Sequence, residues 1–138
     1  LRKKFQASAM CWGLSKVNAL GLVACEAAYT HGDRWLDEAM AYIAGNKDFV
    51  REFLKTRLPQ IRMAEPQGLY LLWLDCNGLG LTPEELERFL VNKACLWLNQ
   101  GYTFGEEGKG FVRLNTACPR SLLGTALEKL EQAIGDIC

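Results

Sequence analysis

Apolar positions recur three and four residues apart over the first half of the chain. They run continuously or alternate over parts of the second, so helices are expected first and a small sheet after them. Residues 16–30 read as a helix rich in small residues: Ala19, Gly21, Ala24, Ala27 and Ala28. Its apolar residues Val17, Leu20, Leu22, Val23, Cys25 and Tyr29 wrap around most of its circumference, and the first 15 residues offer it no obvious partner. His31-Gly32-Asp33 breaks this helix, with Asp33 a good N-cap for the next, along which Trp35, Leu36, Ala39, Met40 and Ile43 recur at helical spacing. Gly45-Asn46 marks a C-terminus or a kink. A further helix carries Phe49, Val50, Phe53, Leu54 and Leu58 until Pro59, which cannot continue the ladder.

From Ile61 the period changes. Ile61 and Met63 alternate with Arg62 and Ala64 in a short strand, and Pro66-Gln67-Gly68 is a turn. The apolar run 69–74 (LYLLWL) has the length of a strand covered on both faces. Asn77-Gly78-Leu79-Gly80 reads as a loop. Thr82-Pro83-Glu84-Glu85 then carries three concordant helix-start signals: a Thr cap, Pro at the first position, and Glu three residues after the cap. Leu86, Phe89 and Leu90 form that helix's buried stripe. Cys95–Leu98 is predicted as another strand, followed by a glycine-rich loop (Gly101, Gly105, Gly108, Gly110) and a strand over Phe111–Asn115. The last helix starts at Pro119 and is expected to bury Leu122, Leu123, Ala126, Leu127, Leu130 and Ile134. The order from Ile61 onward, β-β-α-β-β-α, is that of an α+β (α/β) domain, a small sheet with helices on one face. Its expected core is Trp73, Trp97, Leu74, Leu86, Phe89 and the last helix.

Composition narrows the function classes. With 138 residues the chain is long enough for one domain with a real core. Sixteen basic and sixteen acidic residues balance, which removes any electrostatic case for nucleic acid or an anionic membrane as partner. Apolar runs are too short for a transmembrane helix. The basic start Leu1-Arg-Lys-Lys lacks the apolar segment of a signal peptide, and without an initiating Met the chain is expected to begin in the middle of something longer. Six cysteines at 11, 25, 76, 95, 118 and 138 form no C-x-x-C pair. An apolar setting for Cys25, Cys76 and Cys95 reads as buried thiols, hence a reducing, cytoplasmic compartment. The single histidine, His31, before Gly-Asp, reads as a loop residue, and no metal site is expected.

One constellation carries ligand chemistry. Side chains alternate along a strand, so Phe111, Arg113 and Asn115 share one face, and Val112, Leu114 and Thr116 the other. Guanidinium is a planar fork that matches a carboxylate bidentately. On the residues alone, two readings stand: a ligand anchor at Arg113 with Asn115 beside it, or an arginine paired to an acid on a half-exposed sheet. The glycine loop is either a closing flap, with Phe104 walling a pocket, or a plain hairpin connection.

Four stretches carry a resemblance: Ala27–Asp37 (AAYTHGDRWLD), Gly45–Val50 (GNKDFV), Pro66–Asp75 (PQGLYLLWLD) and Phe111–Arg120 (FVRLNTACPR). In this order they resemble the class I/II aminotransferase superfamily, pyridoxal-phosphate (PLP) enzymes of fold type I, and most of all its cystathionine β-lyase-like (C–S lyase) branch. The resemblance implies that Arg113 binds the α-carboxylate of an amino-acid substrate. It also implies a division into a remnant of the PLP-binding large domain (1–31), connecting helices (32–58) and the small C-terminal domain (59–138), in a parent that is a homodimer. The cofactor lysine, the aspartate facing the pyridine nitrogen and the phosphate loop would lie upstream. No residue of this chain is then assigned a catalytic or cofactor-binding role, and the chain alone is expected to be inactive. Gln100 departs from the family, which usually has proline between the residues matching Asn99 and Gly101. The competing function is a non-catalytic amino-acid-binding or regulatory α/β module. The unpartnered helix is expected to make the chain self-associate through residues 16–30.

Overall fold

A computed structural model describes residues 1–13 and 18–136. It divides into two compact units, Leu1–Met40 and Ala41–Cys138. The first holds α1 (Arg2–Cys11), α2 (Ala19–His31) and the start of α3 (Asp33–Arg57). Asn18 caps α2, its Oδ1 accepting from Gly21 N at 2.6 Å, while Lys16 and Val17 of the expected helix lie outside the described residues. Leu20, Leu22, Val23 and Tyr29 are exposed on α2, which buries no residue.

The chain between α2 and α3 is tighter than expected. Gly32 caps α2 with its N–H on Ala28 O and receives Leu36 N at its own carbonyl, both at 2.9 Å. Asp33 is therefore the first residue of α3 and not its cap, and His31 is the last residue of α2 and not a loop residue. Gly45-Asn46 does not end or kink a helix either: α3 runs unbroken for 25 residues. Partners from elsewhere in the chain, described below, hold these two residues.

The second unit is built on a four-stranded antiparallel sheet. β1 (Arg62–Met63), β2 (Leu71–Asp75), β3 (Asn99–Gln100) and β4 (Phe111–Asn115) lie in the order β1-β2-β4-β3. α4 (Pro83–Asn92) and α5 (Arg120–Gly135) complete the expected β-β-α-β-β-α order. Alternation decides the layering: Leu72, Leu74, Val112 and Leu114 turn to one face and are buried among Val50, Phe53, Leu54, Leu86, Leu90, Leu123, Leu127 and Leu130. β2 is thus fully covered on one face only, with Trp73 half-buried on the other. It starts at Leu71 because Leu69 stands in a left-handed turn conformation, φ 61°.

Trp97 does not belong to the core. It is 84% exposed, and residues 95–98 are not a strand. Cys95 takes φ 53° and Leu96 N bonds Leu90 O at 2.8 Å, closing off α4. Leu96 and Leu98 then face the core and Trp97 between them faces out. In α5, Leu122 is exposed and Ala126 half-buried, and Ala133 joins the buried stripe. The start of α4 is as expected, a complete capping box between Thr82 and Glu85, and these hydrogen bonds hold the Glu85 carboxyl below its usual range.

Of the cysteines expected to be buried, only Cys76 is; Cys25 and Cys95 are exposed. Burial, with the Asp75 charge a lesser cause, pushes the Cys76 thiol from 9.0 up to about 12. Folding favours the protonated thiol, so its contribution to stability is complete below about pH 9 and is lost as the pH climbs toward 12. A thiol reagent at pH 8 should label Cys11, Cys25 and Cys95 in the folded chain and reach Cys76 only after unfolding. Equal labelling rates at Cys76 and Cys95 would contradict this burial.

Candidate functional site

The open face of the sheet gathers the candidate residues. Arg113 sits in the middle of a cross-strand row, opposite Trp73 of β2 on one side and Asn99 of β3 on the other. Its Nη2 donates to Asn99 Oδ1 at 3.1 Å. The Phe104 ring lies over the guanidinium, 4.6 Å from ring centroid to Cζ. Trp73 meets Phe104 edge-on at 5.6 Å and stacks on Phe111 at 5.8 Å. Arg113 Nε is buried without a hydrogen-bond partner, and none of the ion pairs among the described residues includes Arg113. The group available is a planar donor fork, stacked on one side and braced in its plane, with part of its hydrogen-bonding capacity unused.

Asn115 lies on the same face, two residues further on, but its Oδ1 is committed to the Ala117 N–H at 2.8 Å. There it shapes the turn into α5. Phe104 is 55% exposed on a 3-10 turn, Gly101–Phe104, that is followed by a second, Glu106–Gly108. The base of this loop is pinched: a Cβ on Gly101 would fall 2.1 Å from Gly108 O, and one on Gly108 2.1 Å from Gly101 O. No side chain fits at either position. Thr103 Oγ1 donates to Gln100 O at 2.6 Å, and Tyr102 Oη donates to Glu87 Oε2 at 2.7 Å, tying the loop to α4.

Beneath this face the β4–α5 connection is fastened to α3. Asn46, fully buried, donates to Thr116 O at 2.8 Å and Cys118 O at 2.9 Å and accepts from Arg120 Nε at 3.0 Å. Arg120 N donates to Tyr42 Oη at 2.8 Å, and the Arg120 guanidinium passes so close to Gly45 that a Cβ there would fall 2.6 Å from it. Arg57 grips Glu131 through two nitrogens, joining α3 to α5.

Residue-pattern reasoning singled out Arg113 and Phe104, which the fold brings together, but not Asn99 and Trp73 beside Arg113 or Asn46 under the β4–α5 connection. Asn99 and Trp73 become neighbours of Arg113 only through strand register. For Asn46 the signal was there: a large amide in the middle of an amphipathic stripe must find partners if it is buried.

A PLP anchor would be a lysine whose amine is kept neutral by burial or a neighbouring cation. Lys47, Lys55, Lys93, Lys109 and Lys129 are exposed or half-exposed, and the Lys109 ammonium is pushed up by Glu106. These lysines do not fit that task. Among the described residues no group of three or more His, Cys, Asp or Glu side chains is placed to hold a metal, and no helix is long and apolar enough to cross a membrane.

No protein-family model matches the chain. Among curated proteins, it is 39% identical over 133 residues to the cystathionine β-lyase PatB of Bacillus subtilis, covering 96% of this chain and 34% of that protein. It is 38% identical over 122 residues to MalY of Escherichia coli, covering 88% and 31%. Its fold superimposes on cystalysin from Treponema denticola, a structure containing PLP, with a TM-score of 0.95 and 33% identity, over 99% of this chain and 35% of that one. The chain spans about a third of the length of the curated relatives it matches. Fold and relatives together define it as the C-terminal portion of a PLP fold type I, aminotransferase-like protein. Within that class its homologues are cystathionine β-lyases as well as aminotransferases.

Proposed function

We propose that the chain is the part of a PLP-dependent C–S β-lyase or aminotransferase that receives the α-carboxylate of an amino-acid substrate through Arg113. The observation that carries this reading is the state of that side chain: braced by Asn99, stacked by Phe104, and free of any acid partner. When bound, PLP supplies the electron sink for bond cleavage at the substrate's α-carbon. What this chain supplies is orientation: a bidentate grip on the carboxylate fixes how the α-carbon is presented. Phe104, set edge-on against Trp73, forms an apolar wall on one side of the fork. Substituting Arg113 in the complete enzyme and measuring amino-acid affinity tests the reading. A non-catalytic amino-acid-binding module would use the same fork, and β-elimination or transamination activity in the complete protein would dismiss it.

The assembly follows from the same reading. Residues 1–31 belong to the large domain, 32–58 connect, and 59–138 form the small domain of a cytoplasmic homodimer. The exposed Leu20, Leu22, Val23 and Tyr29 of α2 are then covered by the remainder of that enzyme. Expressed alone, the chain should self-associate through residues 16–30, each buried side chain of Leu size contributing about 1.5–3 kcal/mol. Sedimentation with and without residues 1–30 checks this, and clean monomers for both would refute it.

A further inference from the structure

We infer that Asn99 is a positioning residue for carboxylate binding, one that sets the in-plane orientation of Arg113 without neutralising it. The inference rests on Arg113 being the carboxylate anchor and adds the group that aims it. Arginine carries only donors, so the contact at 3.1 Å fixes the Asn99 amide with its oxygen toward Nη2. Asn99 lies directly across from Arg113 in the β3–β4 register, and β3 is anchored by the buried Gln100 next to it. The Phe104 ring restrains the guanidinium across its faces, 4.6 Å from Cζ. The ring and the amide together restrain the guanidinium, with Asn99 occupying a single Nη2 hydrogen. The second Nη2 hydrogen, Nη1 and the orphaned Nε–H stay free for a ligand. A carboxylate that displaces the cover over Nε and binds side-on, across Nε and Nη2, satisfies the orphan and completes a two-bond fork.

The choice of a neutral amide matters to this geometry. An aspartate at position 99 would reach the same Nη2 as an anion and turn Arg113 into an arginine already paired to an acid. The ligand would then compete with a tethered carboxylate.

The experiment uses the complete PLP-loaded enzyme, titrated spectroscopically with L-alanine and with ethylamine, which has the amine but no carboxylate. Variants are Asn99→Asp, Asn99→Ala and Arg113→Gln, each checked for cofactor content and thermal midpoint. Asn99→Asp is expected to weaken L-alanine about tenfold or more, the scale of losing one favourable charge contact, with ethylamine unchanged and the midpoint equal or higher. Asn99→Ala should weaken L-alanine by a smaller factor, again sparing ethylamine. If Arg113→Gln selectively weakens L-alanine while both Asn99 variants bind it normally, the positioning role is wrong and the anchor stands. Equal weakening of both probes by the Asn99 variants makes the residue merely structural and also overturns the inference. If Arg113→Gln itself leaves L-alanine untouched, the anchor reading fails and this inference falls with it. Should the Asp variant fail to load cofactor, the Ala variant decides alone.

Discussion

Neutralising Arg113 in the complete enzyme should weaken an amino-acid substrate by about 2–5 kcal/mol, the scale for truncating one partner of a desolvated charge pair, and Arg113→Lys should also weaken the substrate far more than the cofactor. Lysine keeps the charge but is a point donor, and it can neither reproduce the fork nor stack on Phe104 in the same way. Its ammonium also lacks a fixed plane for the Asn99 amide to brace. Arg113→Gln, which removes the charge, should be at least as damaging. The loss should appear mainly as a raised KM for the amino acid. Equal substrate affinity in wild type and Arg113→Lys would show that the arginine is structural, a brace between Trp73 and Asn99.

The other large effect concerns stability. Asn46→Leu should destabilise the second unit by about 2–5 kcal/mol, because two carbonyls lose their donors and each buried orphan costs about 1–3 kcal/mol. Those carbonyls belong to Thr116 and Cys118, at the bend that leads from β4 into α5. Leucine has nearly the same bulk, so packing cannot account for the loss. Urea unfolding should show a lower midpoint with an unchanged slope. Asn46→Asp preserves the acceptor for Arg120 Nε but faces both carbonyls with a carboxylate, and it should be no better. A loss of stability of less than about 0.5 kcal/mol in the leucine variant, the size of an ordinary surface substitution, would refute the role given to this amide.

Local chemistry made much of the fold readable. The capping box at Thr82, the period-two alternation of β4 and the apolar stripe of α5 each announce an element through contacts made within a few residues. Other positions were misread because tertiary partners overrode a local signal. Gly45-Asn46 carries the composition of a helix end, yet Arg120, Thr116 and Cys118 keep the helix going from 70 to 74 residues away. Trp97 has the character of a core residue, but Leu96 and Leu98 take the inward positions. Its exposed ring instead borders a shallow surface depression that Glu84, Glu87 and Val91 of α4 also line. Arg113 could be singled out because strand alternation is local. Its supports could not, since Trp73 and Asn99 reach it only through the pairing of three strands.

The paired peptide groups of Gly101 and Gly108 act like the clasp of a purse. Whatever is carried between them, the two ends meet at one fixed spot beside β4. Lengthening the six intervening residues therefore costs the strands little in closure entropy, about 0.6 kcal/mol for each doubling of a flexible loop, beyond any loss of the Thr103 and Tyr102 hydrogen bonds. The aromatic at position 104 rides on that exchangeable piece, whereas Arg113 and Asn99 belong to the frame. On the proposed reading, a lineage could thus retune what sits over the guanidinium by swapping a hexapeptide while Arg113 and Asn99 keep their places on the strands.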